Sequence, residues 1–236
     1  VESMGWAGAI SDASGDYLSV FDSNVGWSKV DGNIMRRWVY EVALDVEAAP
    51  KASLTLDYVN KSDSTATGCE AQWMASRGST YEDITHACYW NYFRIYIPHG
   101  SRIVYIDPMP LPEGAIFAVQ GGGIPGSDTT NQFAAYSKTG IGGLMVVPAG
   151  DAYSAEFLYQ LPTSVITEVS ENRYLYRLTM QSQAGVTQID KQITINLPQG
   201  HIVTSWDPAP TVFTQNSATW VMTRLQDAEI EVEFER

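Results

Sequence analysis

Cys69, His86 and Cys88 are the residues whose types most readily carry chemistry, and they sit close together in the chain. Two thiols and an imidazole suit zinc, but a structural site needs a fourth ligand and the neighbourhood offers none. Cys-x-x-Cys and a zinc-finger histidine pair are also missing. The thiols alone suit a disulfide closing "GCEAQWMASRGSTYEDITHAC", worth roughly 3 kcal/mol in the chain-entropy view. Two unpaired buried thiols are the alternative.

Oxygen ligands come next. In "DSNVGWSK" (22–29), Asp22 and Asn24 precede a glycine, with Asp12 and Asp16 nearby in "SDASGD". A calcium loop needs more oxygens at alternating positions, and the EF-hand pattern is not met. Short Asx residues before a glycine instead predict a turn that bonds its own backbone. The glycine-rich "VQGGGIPGSD" (119–128) lacks the Lys-Ser/Thr of a phosphate cradle and is interrupted by Pro125, so it reads as an exposed loop. The chain has neither a nucleophile elbow nor His-Glu-x-x-His. His86, His99 and His201 fall on loops or strand ends, and the 27 acidic residues offer only accidental carboxylate pairs. The expectation is no enzyme, with no catalytic residue, metal or cofactor assigned.

Binding chemistry concentrates in "CYWNYFRIYIPHG" (88–100). As a strand it places Phe93, Ile95 and Ile97 on one face and Tyr92, Arg94 and Tyr96 on the other. The second face, with Trp73, Tyr89 and Trp90 across the cysteine loop, is a candidate platform for stacking on sugar rings or a peptide. Alternatively the tyrosines pack beneath that loop while Arg94 pairs with an acid on the next strand.

The elements that position these residues are strands. "WVYEVALDV" sets Trp38, Tyr40, Val42, Leu44 and Val46 against Glu41 and Asp45. "SLTLDYV" sets Leu54, Leu56 and Tyr58 against Ser53, Thr55 and Asp57. "QITINL" separates Ile193, Ile195 and Leu197 from their polar neighbours, and "EIEVEFE" puts Ile230, Val232 and Phe234 inside four glutamates. Period-2 alternation with one wet face predicts antiparallel sheets. Further strands are expected at 17–22, 115–120, 143–148, 155–161, 173–182, 201–206, 210–214 and 218–224, and helix only near 79–86 and 1–10. The fold class is therefore all-β, an antiparallel β-sandwich architecture with little helix. "RIYIPHGSRIV" and "TINLPQGHIVT" echo one another, with Pro98/Gly100 and Pro198/Gly200 at matching places. That echo divides the chain into two tandem β-sandwich units, 1–140 with the cysteine-flanked insert at 69–88, and 141–236.

Composition narrows the partners. With 14 basic and 27 acidic residues the formal charge is −13, which repels nucleic acid and anionic membrane surfaces. No apolar run reaches the roughly 18 residues of a membrane span. Beginning at Val1, the chain reads as an excised segment whose export signal or anchor lies upstream.

Three stretches then read together: "GWAGAI…GDYLSVFDSNVGWSKVDGNIMRRWVYEVAL", "NYFRIYIPHGSRIV" and "TGIGGLMVVPAGDAYSAEFLYQLP". In order and spacing they resemble the C-terminal half of the bacterial family called domain of unknown function 4012. The matching positions are Gly15 and Asp16, then Asp22, Asn24, Gly26 and Lys29. Arg94, Tyr96, Pro98, Gly100 and Ser101 follow, then Pro148, Gly150, Leu161 and Pro162. Ala149, inserted between Pro148 and Gly150, and the 69–88 insert depart from the pattern. The resemblance implies an exported cell-envelope protein from a family of long, membrane-anchored members, and it supplies no established activity. The expected function is a non-catalytic extracytoplasmic β-sandwich scaffold or interaction module, its partner an envelope protein or glycan. The alternative is a carbohydrate-binding module for wall or capsule glycans, using the aromatics near the cysteine loop. A third reading is an accessory to envelope polymer assembly whose chemistry lies upstream.

Overall fold

Alternation becomes strands wherever one side of a segment can be buried. The computed structural model describes residues 9–63, 69–70, 80–112, 115–116, 128–186, 189–223 and 227–236. Sheet A runs β14 (Ile202–Asp207), β17 (Ala228–Glu235), β12 (Arg173–Gln181), β1 (Asp16–Phe21), β5 (Tyr89–Pro98), β9 (Lys138–Val147) and β8 (Asn131–Ala135), with β11 (Ile166–Ser170) also beside β12. Sheet B runs β15 (Val212–Phe213), β16 (Ser217–Thr223), β13 (Asp190–Asn196), β2 (Ile34–Ala43), β3 (Lys51–Asn60), β10 (Ala152–Gln160) and β6 (Arg102–Ile106). A two-stranded piece joins β4 (Cys69–Glu70) to β7 (Ala115–Ile116), and α1 (Tyr81–Thr85) is a short helix opened by a Thr80/Asp83 capping box.

The two sheets share one core. The expected inward residues Trp38, Tyr40, Val42, Leu54, Leu56, Tyr58, Ile193, Ile195, Ile230, Val232 and Phe234 all join it. Each such side chain contributes roughly 1.5–3 kcal/mol by leaving water. The all-β sandwich expectation therefore holds.

The division at 140/141 does not. That boundary falls inside β9, and each sheet takes strands from both sides of it. The joints are parallel: β1 pairs with β12 from Asp16↔Leu178 to Ser19↔Gln181, and β2 pairs with β13 from Arg37↔Asp190 to Ala43↔Asn196. The sheets are thus mixed, with antiparallel pairing elsewhere in both. Two strand–crossover–strand units, β1–β2 and β12–β13, lie side by side across both layers, so neither half closes a core alone.

The Pro-x-Gly echo has a different meaning. Pro98–Gly100 carries the chain from β5 in sheet A to β6 in sheet B, and Pro198–Gly200 from β13 in sheet B to β14 in sheet A. Pro148–Ala149–Gly150 does the same between β9 and β10. In all three the residue after glycine donates its N–H to the proline carbonyl, at 3.1, 3.2 and 3.2 Å. Gly100, Gly150 and Gly200 have φ of +83°, +79° and +81°, the left-handed backbone that this turn requires at its third position. Ala149 completes the third copy of this inter-sheet turn.

Candidate functional site

Each end of β1 carries a buried acid. Asp22, just past the strand, accepts from Arg36 Nε at 2.8 Å, and from Tyr58 Oη and Asn91 Nδ2 at 2.7 Å each. Gln183 closes the backbone around it in both directions. Arg36 also donates to Tyr89 Oη and to the half-exposed Asp31. Burial works against the guanidinium charge, but Tyr89 and Asp22 overcome it and hold the Arg36 pKa above its ordinary value. The "DSNVGWSK" stretch is the expected turn: Asn24 Oδ1 accepts from Gly26 N, and Asn24 Nδ2 donates to Ser28 and Asp31. Three protein donors hold the Asp22 carboxylate, which gives this cluster the chemistry of a structural clamp.

Asp16 is held differently. Its carboxylate accepts from Tyr17 N, from Tyr40 Oη at 2.7 Å and from Tyr176 Oη, and no ion pair among the described residues involves it. Burial pushes its pKa up to about 6, against the opposing pull of Tyr176, Tyr40 and the Tyr17 N–H. The same burial, reinforced by the Asp16 charge, raises the Tyr40 and Tyr176 phenols well above their ordinary range. A third buried group, Lys191, donates to Ser182 Oγ at 2.6 Å with its ammonium 5.0 Å from the Trp38 ring centre. Burial lowers its pKa to about 8, partly offset by Asp227.

The expected aromatic platform does not form. Tyr89 faces the core and holds Arg36. Trp90 lies on the opposite, outer side of sheet A, buried in a small cluster with Cys69, Leu111 and Val146, against which Cys88, Val25 and Leu144 pack. A Cβ at Gly26 would come within 3.0 Å of the Trp90 side chain. Tyr96 is buried by edge-on contacts with Phe21, Phe133 and Tyr136. Tyr92 and Arg94 are half-buried, and Arg94 donates to Ser23 Oγ, where an acidic partner was expected. Trp73 lies outside the described residues. Buried rings cannot offer their faces to a sugar, so Tyr89, Trp90 and Tyr96 are spent on packing, and of the expected platform only the half-buried Tyr92 and Arg94 reach the surface among the described residues. The Cys69–Cys88 disulfide is present and belongs to the cap over Trp90. Among the described residues no group of His, Cys, Asp and Glu is arranged to hold a metal ion.

The outer face of sheet B is exposed and regular. Its rows can be read from the register. One runs Leu158–Ser53–Glu41–Thr194–Thr219–Val212, the next Glu156–Thr55–Val39–Gln192–Val221, and the next Ser154–Asp57–Arg37–Asp190–Thr223. Two hollows of about 470 Å³ lie at opposite ends of β2, β3 and β10. Lys51, Arg102, Glu41 and Val104 border one; Met35, Arg37, Asp57 and Asp190 border the other. Short residues make the floor because the strands alternate, and the long ones stand at the ends. Sequence reasoning recognised these positions only as the wet side of each strand. The usable signal was Met35, Val39 and Val59 at outward positions, apolar residues where the alternation calls for polar ones.

No protein-family model matches the chain, and no curated protein matches it. Solved structures do. A candidate nutrient binding protein from Legionella pneumophila is similar over 94% of this chain and 72% of its own, with 8% identity and a TM-score of 0.45. The folded domain of LppM from Mycobacterium tuberculosis covers 85% and 90%, with 8% identity and a TM-score of 0.37. An M1 zinc metallopeptidase from Deinococcus radiodurans covers 86% and 42%, with 6% identity and a TM-score of 0.35.

Proposed function

We propose that this chain is a non-catalytic interaction module of an exported protein and that it engages its partner through the outer face of sheet B. One observation carries this reading. Half of the exposed large apolar side chains among the described residues lie on that face: Met35, Val59, Val104, Tyr105, Val212 and Val221. They extend from the β6 edge to the β15 edge. The outer side of sheet A is partly covered: the disulfide cap lies over Trp90, and the backbone at Ala9 and Ser11 bonds Gln181. Across β12 and β17 it carries the Arg173–Glu233 and Arg177–Glu231 ion pairs. Soluble proteins keep large apolar side chains scattered, and a concentration on one face marks a contact surface.

The disulfide supports an oxidising compartment, and the resemblance to domain of unknown function 4012 points to the cell envelope. No helix among the described residues is long and apolar enough to cross a membrane.

The test uses introduced cysteines, since both native ones are bonded to each other. Thr55→Cys at the centre of the face and Thr167→Cys on β11 are treated with a membrane-impermeant maleimide, on intact producing cells and on purified protein. The expected result is labelling of Thr167→Cys in both settings, with Thr55→Cys protected on cells and reactive on purified protein at high dilution. Equal labelling of both on cells removes the contact role. Absence of labelling at Thr167→Cys on cells removes the extracytoplasmic location.

A further inference from the structure

The face described above has a charge distribution that the rest of the chain lacks. Its outward charged residues are Arg37, Lys51 and Arg102 against Glu41, Asp57, Glu156 and Asp190. It is therefore within one charge of balance, on a chain whose formal charge is −13. Two copies approaching by this face bring little net like charge together, whereas the chain as a whole repels its copies. We infer that this face binds a second copy of the same chain, sheet B against sheet B. This rests on the contact role proposed for the face and names its partner.

Shape and polarity agree. Ser53, Thr55, Val39, Gln192, Thr194 and Thr219 fill its centre, short enough for a second sheet to settle at about the 10 Å spacing of packed sheets. The face is also large enough. Five strands, β16, β13, β2, β3 and β10, are seven to ten residues long. At about 4.8 Å between strands and about 3.3 Å per residue, they span roughly 700 Å². That is close to the roughly 800 Å² per partner of a stable interface.

Several polar groups of this surface are already held by one another within it. Asn196 donates to Glu41, Arg37 to Gln192, Ser154 to Asp57 and Thr223 to Asp190, and Thr194 shares a hydrogen bond with Thr219. Because a two-fold pairing places the same patch on both sides, one substitution alters the contact twice.

Sedimentation velocity of the purified chain over a concentration series tests this directly. The expected result is a reversible monomer–dimer equilibrium, weakened by about tenfold or more by Thr194→Glu or by Ser53→Glu, each of which adds like charge to both sides of the contact. Thr167→Glu on β11 leaves it unchanged. A chain that stays monomeric at every concentration overturns the inference, and so does a dimer indifferent to both face substitutions. The wild-type measurement stands even where a variant fails to fold. A purified monomer whose Thr55→Cys form is nevertheless protected on cells would overturn the second copy alone and leave the contact role of the face in place.

Discussion

Asp16 and Asp22 lie at opposite ends of β1, and both side chains are turned into the sandwich. At the Asp22 end a full positive charge answers the carboxylate: Arg36 lies within 2.8 Å, with both side chains less than a twentieth exposed. At the Asp16 end only dipoles answer it, two phenols and a backbone N–H. A hydroxyl donor stabilises a carboxylate but does not neutralise it, so burial wins at Asp16 and its pKa rises to about 6. One strand thus shows two ways a fold tolerates a buried acid: paired with a cation, or hydrogen-bonded to neutral donors alone.

Arg36→Met removes the contrast between the two ends and should have the largest effect. It keeps the volume of the stem, removes the cation, and leaves Asp22 buried with only neutral donors. Removing one member of a buried pair costs about 3–5 kcal/mol. The urea midpoint should fall accordingly, and a loss below about 1 kcal/mol would show that Tyr58 and Asn91 suffice.

The next effect is in the pH profile. For Asp16 the folded pKa of about 6 lies above its ordinary 3.8, so the folded state binds the proton more tightly than the unfolded chain. The stability this contributes is fully present below about pH 3.8 and is lost as pH rises through 6, a change of about 3 kcal/mol. Asp16→Asn should lack that component. The difference in unfolding free energy between variant and wild type should therefore move by about that amount from pH 4 to pH 8, in favour of the variant. A pH-independent difference would mean that Tyr40, Tyr176 and the Tyr17 N–H fully offset the burial of Asp16.

The smallest effect belongs to the Asp22 end. Asp31 also bonds Arg36, but its side chain is 50% exposed. Water screens that contact, and Asp31→Ala should cost less than about 1 kcal/mol by the same denaturation assay. A larger loss would assign Asp31, and not Asp22, the main role in holding the guanidinium.

Several of these features are legible in the amino-acid sequence. Ile230, Val232 and Phe234 among glutamates specify a half-buried strand because alternation is a property of adjacent residues. The Asp22–Asn24–Gly26 turn is readable for the same reason, since its hydrogen bonds stay within a few positions. A disulfide is readable because the chain has two cysteines. The strands β8 and β11 escape such a reading: their residues are half-buried or exposed, so "NQFAA" and "ITEVS" carry no apolar rhythm. Asp16 escapes as well, because its phenol partners stand 24 and 160 positions away. Lys191 looks like the polar flank of a strand, although it is buried against Trp38.

Which residues form the long alternating strands, which side of each is apolar, where the chain turns between them and that two thiols can join follow from the sequence alone. Those properties depend on neighbours along the chain. The tertiary structure decided which strands lie side by side, and through this everything functional: the parallel β1–β12 and β2–β13 joints that merge two expected units into one, the burial of Trp90 and Tyr96, and the uncovered face of sheet B. Strand pairing is a sum of many weak contacts between distant segments, and several pairings satisfy the same alternation. Only the assembled sandwich selects one, and with it the face left to meet a partner.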